Sequence, residues 1–148
     1  MRSRCKGFSL IELVVGVSII GVIAGFAVPH FTGLENDVRA SKVQLLSVHL
    51  RGAVAAAHAQ YVQSGARLSS TTIEGRFVQL KNGYPDVGSN GIRQATIEFS
   101  DFDVRSTDTS VTYTKSGGPS AVLCGVTYRA AAKTSGAASV SDLQTSGC

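Results

Sequence analysis

The chain of 148 residues has no tryptophan, only three histidines and three cysteines, and 16% charged residues. Each shortage closes off a class of chemistry. There is no Gly-x-Ser-x-Gly turn, no Walker loop and no closely spaced nucleophile–base pair, so the chain reads as a non-enzyme needing no cofactor. His49 and His58 are nine positions apart, which puts them on opposite faces of a helix, where they cannot share a metal. With His30 they read as surface or packing residues. The two downstream cysteines, Cys124 and Cys148, lack the neighbouring histidine pair that a four-ligand zinc site takes, so no metal is expected there. Asp101, Asp103 and Asp108 offer oxygen ligands without EF-hand spacing, which leaves two readings open, a calcium loop or a solvated one.

Basic residues exceed acidic ones by four, but Arg2, Arg4 and Lys6 account for most of that excess. The remainder is close to neutral, with no Lys/Arg run and no basic face interleaved with aromatics. Nucleic acid is therefore not an expected partner. Small-x-small cleavage sites of the secretory type are also missing beyond the apolar run of residues 8–28, so that run is expected to stay attached. As a helix it would measure about 31 Å and match a bilayer core. The cationic head before it reads as a signal that keeps the N-terminus cytoplasmic.

One acid, Glu12, stands inside the run. A carboxylate in a membrane span costs on the order of 3 kcal/mol, so it is rarely there without a function. Gly16, Gly21 and Gly25 soften the helix, and Gly21 and Gly25 have the spacing that lets helices approach closely. Pro29 removes a backbone donor and predicts a kink or break near residues 25–32.

Helix then resumes over residues 35–64. Val43, Leu46, Leu50, Val54, Ala57 and Tyr61 recur at threes and fours and give one buried stripe. Glu35 and Asp37 at its start and Ser64-Gly65 at its end match helix-end preferences. Beyond Gly65 the pattern shortens to strand-like runs: residues 76–80 ending at Lys81-Asn82-Gly83, residues 110–114, and residues 121–129 as the strongest. Ser89 or Asn90 caps a short helix through Ile97, unless that segment is strand. The tail from Ala131 is small and polar, with Val140, Leu143 and Cys148 to pin it.

Cys5 lies in the basic head. Cys124 and Cys148 form an even pair in a region placed outside the cytoplasm, which predicts a disulfide closing a loop and restricting the unfolded chain by roughly 3 kcal/mol. The alternative is two free thiols.

Lys6-Gly7-Phe8-Ser9-Leu10-Ile11-Glu12-Leu13 resembles the type IV prepilin motif of bacterial pilins and type II secretion pseudopilins. Ala27-Val28-Pro29-His30-Phe31, Asn82-Gly83-Tyr84-Pro85 with Gly91-Ile92, and Cys124 with Cys148 resemble pilins of the mannose-sensitive haemagglutinin (MSHA) class. The resemblance implies an α+β type IV pilin fold, a long N-terminal helix packed on a small antiparallel β-sheet head. It divides the chain into a leader (1–7), a transmembrane and assembly helix (8–30) and a globular head (31–148).

It also implies that a prepilin peptidase cuts between Gly7 and Phe8 and methylates Phe8, and that Glu12 neutralises the new amine, in its own or a neighbouring subunit. The implied partners are other pilins in a homo-oligomeric filament, the assembly machinery of the inner membrane, and that membrane itself before assembly. The filament would be extracellular and serve attachment to surfaces. A type II secretion pseudopilin is the second reading, and a membrane-anchored enzyme or binding module the third.

Overall fold

The computed structural model describes residues 7–133 and 136–148, with backbone alone for 27–33. The basic head with Arg2, Arg4, Cys5 and Lys6, and the side chains of Pro29, His30 and Phe31, lie outside the described residues. The chain divides into two compact units, Met1–Asn36 and Asp37–Cys148.

A single helix, α1 (Leu10–Gln63), contributes to both. It continues through residues 25–32, where the sequence predicts a break. Proline there removes one amide donor, and one missing bond does not end a helix with strong helical segments on both sides. In the first unit the helix side chains through Phe26 are apolar except for Glu12 and Ser18 and nearly all exposed, with Leu10 80% open. Among the described residues no helix is long and apolar enough to cross a membrane. The end of the run read as a span lies among the residues described by backbone alone.

In the second unit α1 buries Val43, Leu46, Leu50, Val54 and Ala57, which belong to the stripe read from the sequence, together with Ala53, while Tyr61 is half-buried. Two antiparallel sheets complete the core. The first has the order β1 (Ser70–Ile73), β2 (Arg76–Lys81), β3 (Tyr84–Pro85). The second is a meander of β4 (Asp103–Ser106), β5 (Ser110–Thr114), β6 (Gly125–Arg129) and β7 (Ser139–Gln144). Val78, Val111, Tyr113, Val126 and Tyr128 close the core from the sheets. Helix and antiparallel sheet together give the expected α+β architecture, with a head of two sheets instead of one.

Asn82 and Gly83, with φ of 55° and 82°, form the two-residue turn between β2 and β3, where Lys81 faces Tyr84. Paired positive φ is the geometry that Asn-Gly favours in hairpins. Gly83 is also crowded, since a Cβ there would lie 2.6 Å from the Tyr61 ring. The Asn82 amide donates to the Ala131 carbonyl (2.8 Å) and the Tyr128 hydroxyl to the Pro85 carbonyl (2.5 Å), so this turn is bonded to residues at the end of the second sheet.

Three further expectations need correction. The run 121–129 is not one strand: Ala121–Leu123 is a 3-10 turn and only Gly125–Arg129 pairs. The chain end lies against this turn, with Ser120 N–H donating to Gly147 O and Gly147 N–H to Leu123 O. Neither Ser89 nor Asn90 caps the short helix α2 (Ile92–Ala95). Its N-cap is Gly91, without a side-chain cap, and Ile92 N–H donates instead to Asp86 O at 2.8 Å. That backbone passes so close that a Cβ on Gly91 would fall 1.8 Å from it. Finally, the polar tail is not held only by Val140, Leu143 and Cys148: residues 139–144 form β7 on β6, with a register irregularity between Gly125 and Thr127.

Lys42 on α1 and Lys115 beyond β5 both pair with Asp101, at 2.7 and 2.8 Å. These two ammonium groups, Lys115 first, lower the Asp101 carboxyl from 3.8 to about 2. A depressed carboxyl stabilises the fold above its unfolded value and loses that contribution as pH falls through its folded one. Because Asp101 is 41% exposed, solvent screening reduces the effect to roughly 1 kcal/mol. Asp101→Asn should therefore be less stable than the parent chain at neutral pH, with the difference closing between pH 4 and pH 2. Urea unfolding at pH 7 and pH 2 measures this, and an unchanged difference at low pH contradicts it.

Candidate processing and assembly site

Gly7, Phe8 and Ser9 precede α1 and belong to no helix or strand. A peptidase binds backbone in extended form, so the Gly7–Phe8 bond is accessible while bonds within α1 are protected by helical hydrogen bonds. Nothing among the described residues requires glycine at position 7: a Cβ there meets none of their atoms within 4 Å, and its φ is not in the left-handed region.

Glu12 lies in the first turn of α1, and its Oε2 accepts the Ser9 amide at 3.0 Å. Ser9 N–H is its one hydrogen-bond partner among the described residues. Ser9-x-x-Glu12 is half of a capping box, in which an acid at the third helical position reaches back to the N-cap amide. The carboxylate also faces the positive end of the helix dipole, worth about 0.3–1 kcal/mol. The pattern was legible in the sequence and is a role for Glu12 separate from neutralising an amine.

Phe8, Ile11, Glu12, Val15, Gly16 and Ile19 line an open groove of about 320 Å³ along this side of the helix. Gly16 leaves a notch one turn beyond Glu12, and a Cβ there or at Gly21 or Gly25 meets nothing within 4 Å. An apolar notch with a carboxylate in its wall suits an apolar group carrying an amine.

A second surface was missed in the sequence. Leu45, Val48, Gly52, Ala55, Ala59 and Val62 are all exposed on the outer side of α1, and their spacing alternates threes and fours. Leu45, Val48 and Val62 are 61, 68 and 59% open. This is the period of a helix-packing seam, with small residues where a partner backbone could approach closely. The helical wheel carried the signal, because two apolar stripes on one helix leave one of them without a core to enter.

Cys124 and Cys148 are joined by a disulfide across 24 positions, with Cα atoms 4.8 Å apart. Arg39 on α1 donates from Nε to the Cys148 carbonyl at 2.6 Å. Helix, β6 and the last residues of the chain are thereby held together. His49 Nε2 contacts Ala95 O at 2.7 Å, and His58 Nδ1 contacts Gly83 O at 3.1 Å while its ring stacks on Tyr84 at 4.2 Å. Both are packing histidines. Asp101 is held by lysines, Asp103 opens β4 and Asp108 lies in the turn before β5. No group of three metal-ligating side chains comes together among the described residues.

Residues 2–28 match the family model of the prokaryotic N-terminal methylation motif. The chain is 32% identical over 92 residues to a fimbrial protein of Neisseria meningitidis, covering 56% of this chain and 54% of that protein. It is 36% identical over 98 residues to a type IV major fimbrial protein of Dichelobacter nodosus, covering 66% and 54%. Over 57 residues it is 39% identical to a major component of the type IV narrow pilus of Thermus thermophilus, covering 38% and 49%. The chain spans about half the length of these relatives. No solved structure matches it.

The likeness to the N-terminal methylation motif, on a long helix with an α+β head, points to one class of protein. The motif and the relatives support the type IV pilin family, and the closer likeness to MSHA pilins is not confirmed by them.

Proposed function

We infer that the chain is a structural subunit of a bacterial type IV pilus. A prepilin peptidase cuts between Gly7 and Phe8 and methylates Phe8. Before assembly, residues 8–30 anchor the chain once through the inner membrane, with the N-terminus cytoplasmic. The inner-membrane assembly machinery then adds it to a filament of like subunits, which is extracellular and serves attachment to surfaces. The molecule acts by packing and catalyses no reaction.

The observation that carries this reading is the start of α1 through Phe26, exposed and apolar apart from Ser18 and one acid, Glu12. Burying that surface supplies on the order of 25 cal/mol per Å² of apolar area, first in lipid and then against other copies. Transfer between the two surroundings costs little, since both are apolar. After cleavage the Phe8 amine and Glu12 attract strongly in low dielectric, and each is costly to bury alone. The groove beside Gly16 accommodates an amine-bearing apolar residue of a neighbouring copy. Names of the relatives are those of fimbrial and pilus proteins, which disfavours the pseudopilin alternative.

The outer seam of α1 supplies a test. Ala55 is exposed, so Ala55→Lys should leave thermal unfolding unchanged, whereas a lysine buried in a subunit contact should lower filament yield at least about tenfold. Quantifying sheared filaments against total subunit decides it. Wild-type yield would remove the seam from the assembly surface.

A further inference from the structure

A groove of about 380 Å³ opens between the 89–102 segment and the second sheet, remote in sequence from the N-terminal helix. Its floor is aromatic. Phe99 and Phe102 meet edge to face with centroids 6.1 Å apart, and Tyr113 lies beneath with its hydroxyl bonded to Thr96 Oγ1 at 2.9 Å. Arg93, on the exposed side of α2, stands in the wall. Among the described residues its guanidinium has no hydrogen bond or ion pair. Ser89, Gln94 and Ser100 add hydroxyl and amide groups, and no Asp or Glu lines the groove. Gln94 donates its amide to Ser89 O at 3.1 Å, which leaves its side-chain carbonyl as an acceptor.

We propose that this groove binds a carboxylated sugar. The unpaired guanidinium offers a planar two-pronged contact that matches a carboxylate. An apolar C–H face of a pyranose ring lies on Phe99, and ring hydroxyls meet Ser89, Gln94 and Ser100. The volume is at the small end of pockets that hold one organic molecule, about 300–1,000 Å³, which suits one sugar unit. A fatty acid would leave the hydroxyl and amide groups without partners, and inorganic phosphate would leave the aromatic floor bare.

The test is an NMR titration of the ¹⁵N-labelled full chain in detergent micelles with D-glucuronate, D-glucose and acetate. Glucuronate should shift the amides of residues 89–100 saturably, and glucose should need at least about tenfold more, the loss of one charge-assisted contact. Arg93→Gln should abolish that preference while leaving the β5 and β6 amides in place, and Arg93→Lys should restore part of it. A short polyuronate that binds more tightly than the monomer identifies polysaccharide as the source, and equal binding identifies the free sugar acid. Shifts elsewhere, acetate matching glucuronate, or an unchanged Arg93→Gln response would overturn the proposal. The titration needs no filament, so its outcome is independent of assembly.

Discussion

Glu12→Gln is expected to be cut after Gly7 as the parent chain is, and to lose about a hundredfold or more in assembled filament. Glutamine keeps the shape and still accepts the Ser9 amide, so the helix start survives. It removes the charge that would meet the Phe8 amine. Breaking one side of a buried pair costs roughly 3–5 kcal/mol, which is a loss of that order. The substitution thus separates two roles of one side chain, because a glutamate that only caps the helix would be replaced by glutamine without loss. Gly7→Val is the complementary variant: it should leave a full-length precursor in the membrane, since the side chain obstructs the peptidase and not the chain's own fold. Immunoblots of membranes and sheared filaments report both size and assembly. Wild-type filament yield from Glu12→Gln, or normal processing of Gly7→Val, would contradict these assignments.

Loss of the disulfide has the second large effect. Replacing Cys124 and Cys148 together by alanine should cost about 3 kcal/mol, from the added freedom of the unfolded loop. For a head of this size that lowers Tm by on the order of 15 °C. The loss should concentrate at the chain end, because β7 is an edge strand and residues 145–148 are otherwise held by a few backbone bonds and by Arg39. Calorimetry gives the shift, and hydrogen exchange should show β7 opening before β5. A Tm change of a few degrees, or uniform loss of protection, would mean that packing alone holds the chain end.

Those weak points are also where the sequence was hardest to read. The strand at 110–114 alternates cleanly because Val111 and Tyr113 enter the core while their neighbours face outward. The strand at 76–80 was legible for the same reason and because Asn82-Gly83 marks its turn. β4 and β7 are edge strands carrying Asp103, Arg105 and Asp142, and edges protected by charge show little hydrophobic alternation. Residues 121–123 looked like strand because they are apolar, yet Val122 is 83% exposed. The disulfide and the returning chain end shape that turn, and both are long-range constraints that no local pattern contains. Pro29 was read by its local effect, which a helix as long as α1 absorbed. At the candidate site, the expectations for Gly7, Phe8 and Glu12 rest on a motif compressed into six residues. The capping role of Glu12 was equally local and needed only the Ser9-x-x-Glu12 pattern. The seam from Leu45 to Val62 shows on the helical wheel as a second apolar stripe, and the packed head fixes which of the two stays outside.

Cleavage after Gly7 and assembly through the segment so exposed leave a signature in the mass of the assembled subunit. Intact-mass spectrometry of the main band from sheared surface filaments reads it. One species is expected, which begins at Phe8, carries a single added methyl group on its N-terminal amine, and lacks the two thiol hydrogens of Cys124 and Cys148. A chain that still carries residues 1–7, found only in membranes and never in filaments, would contradict it.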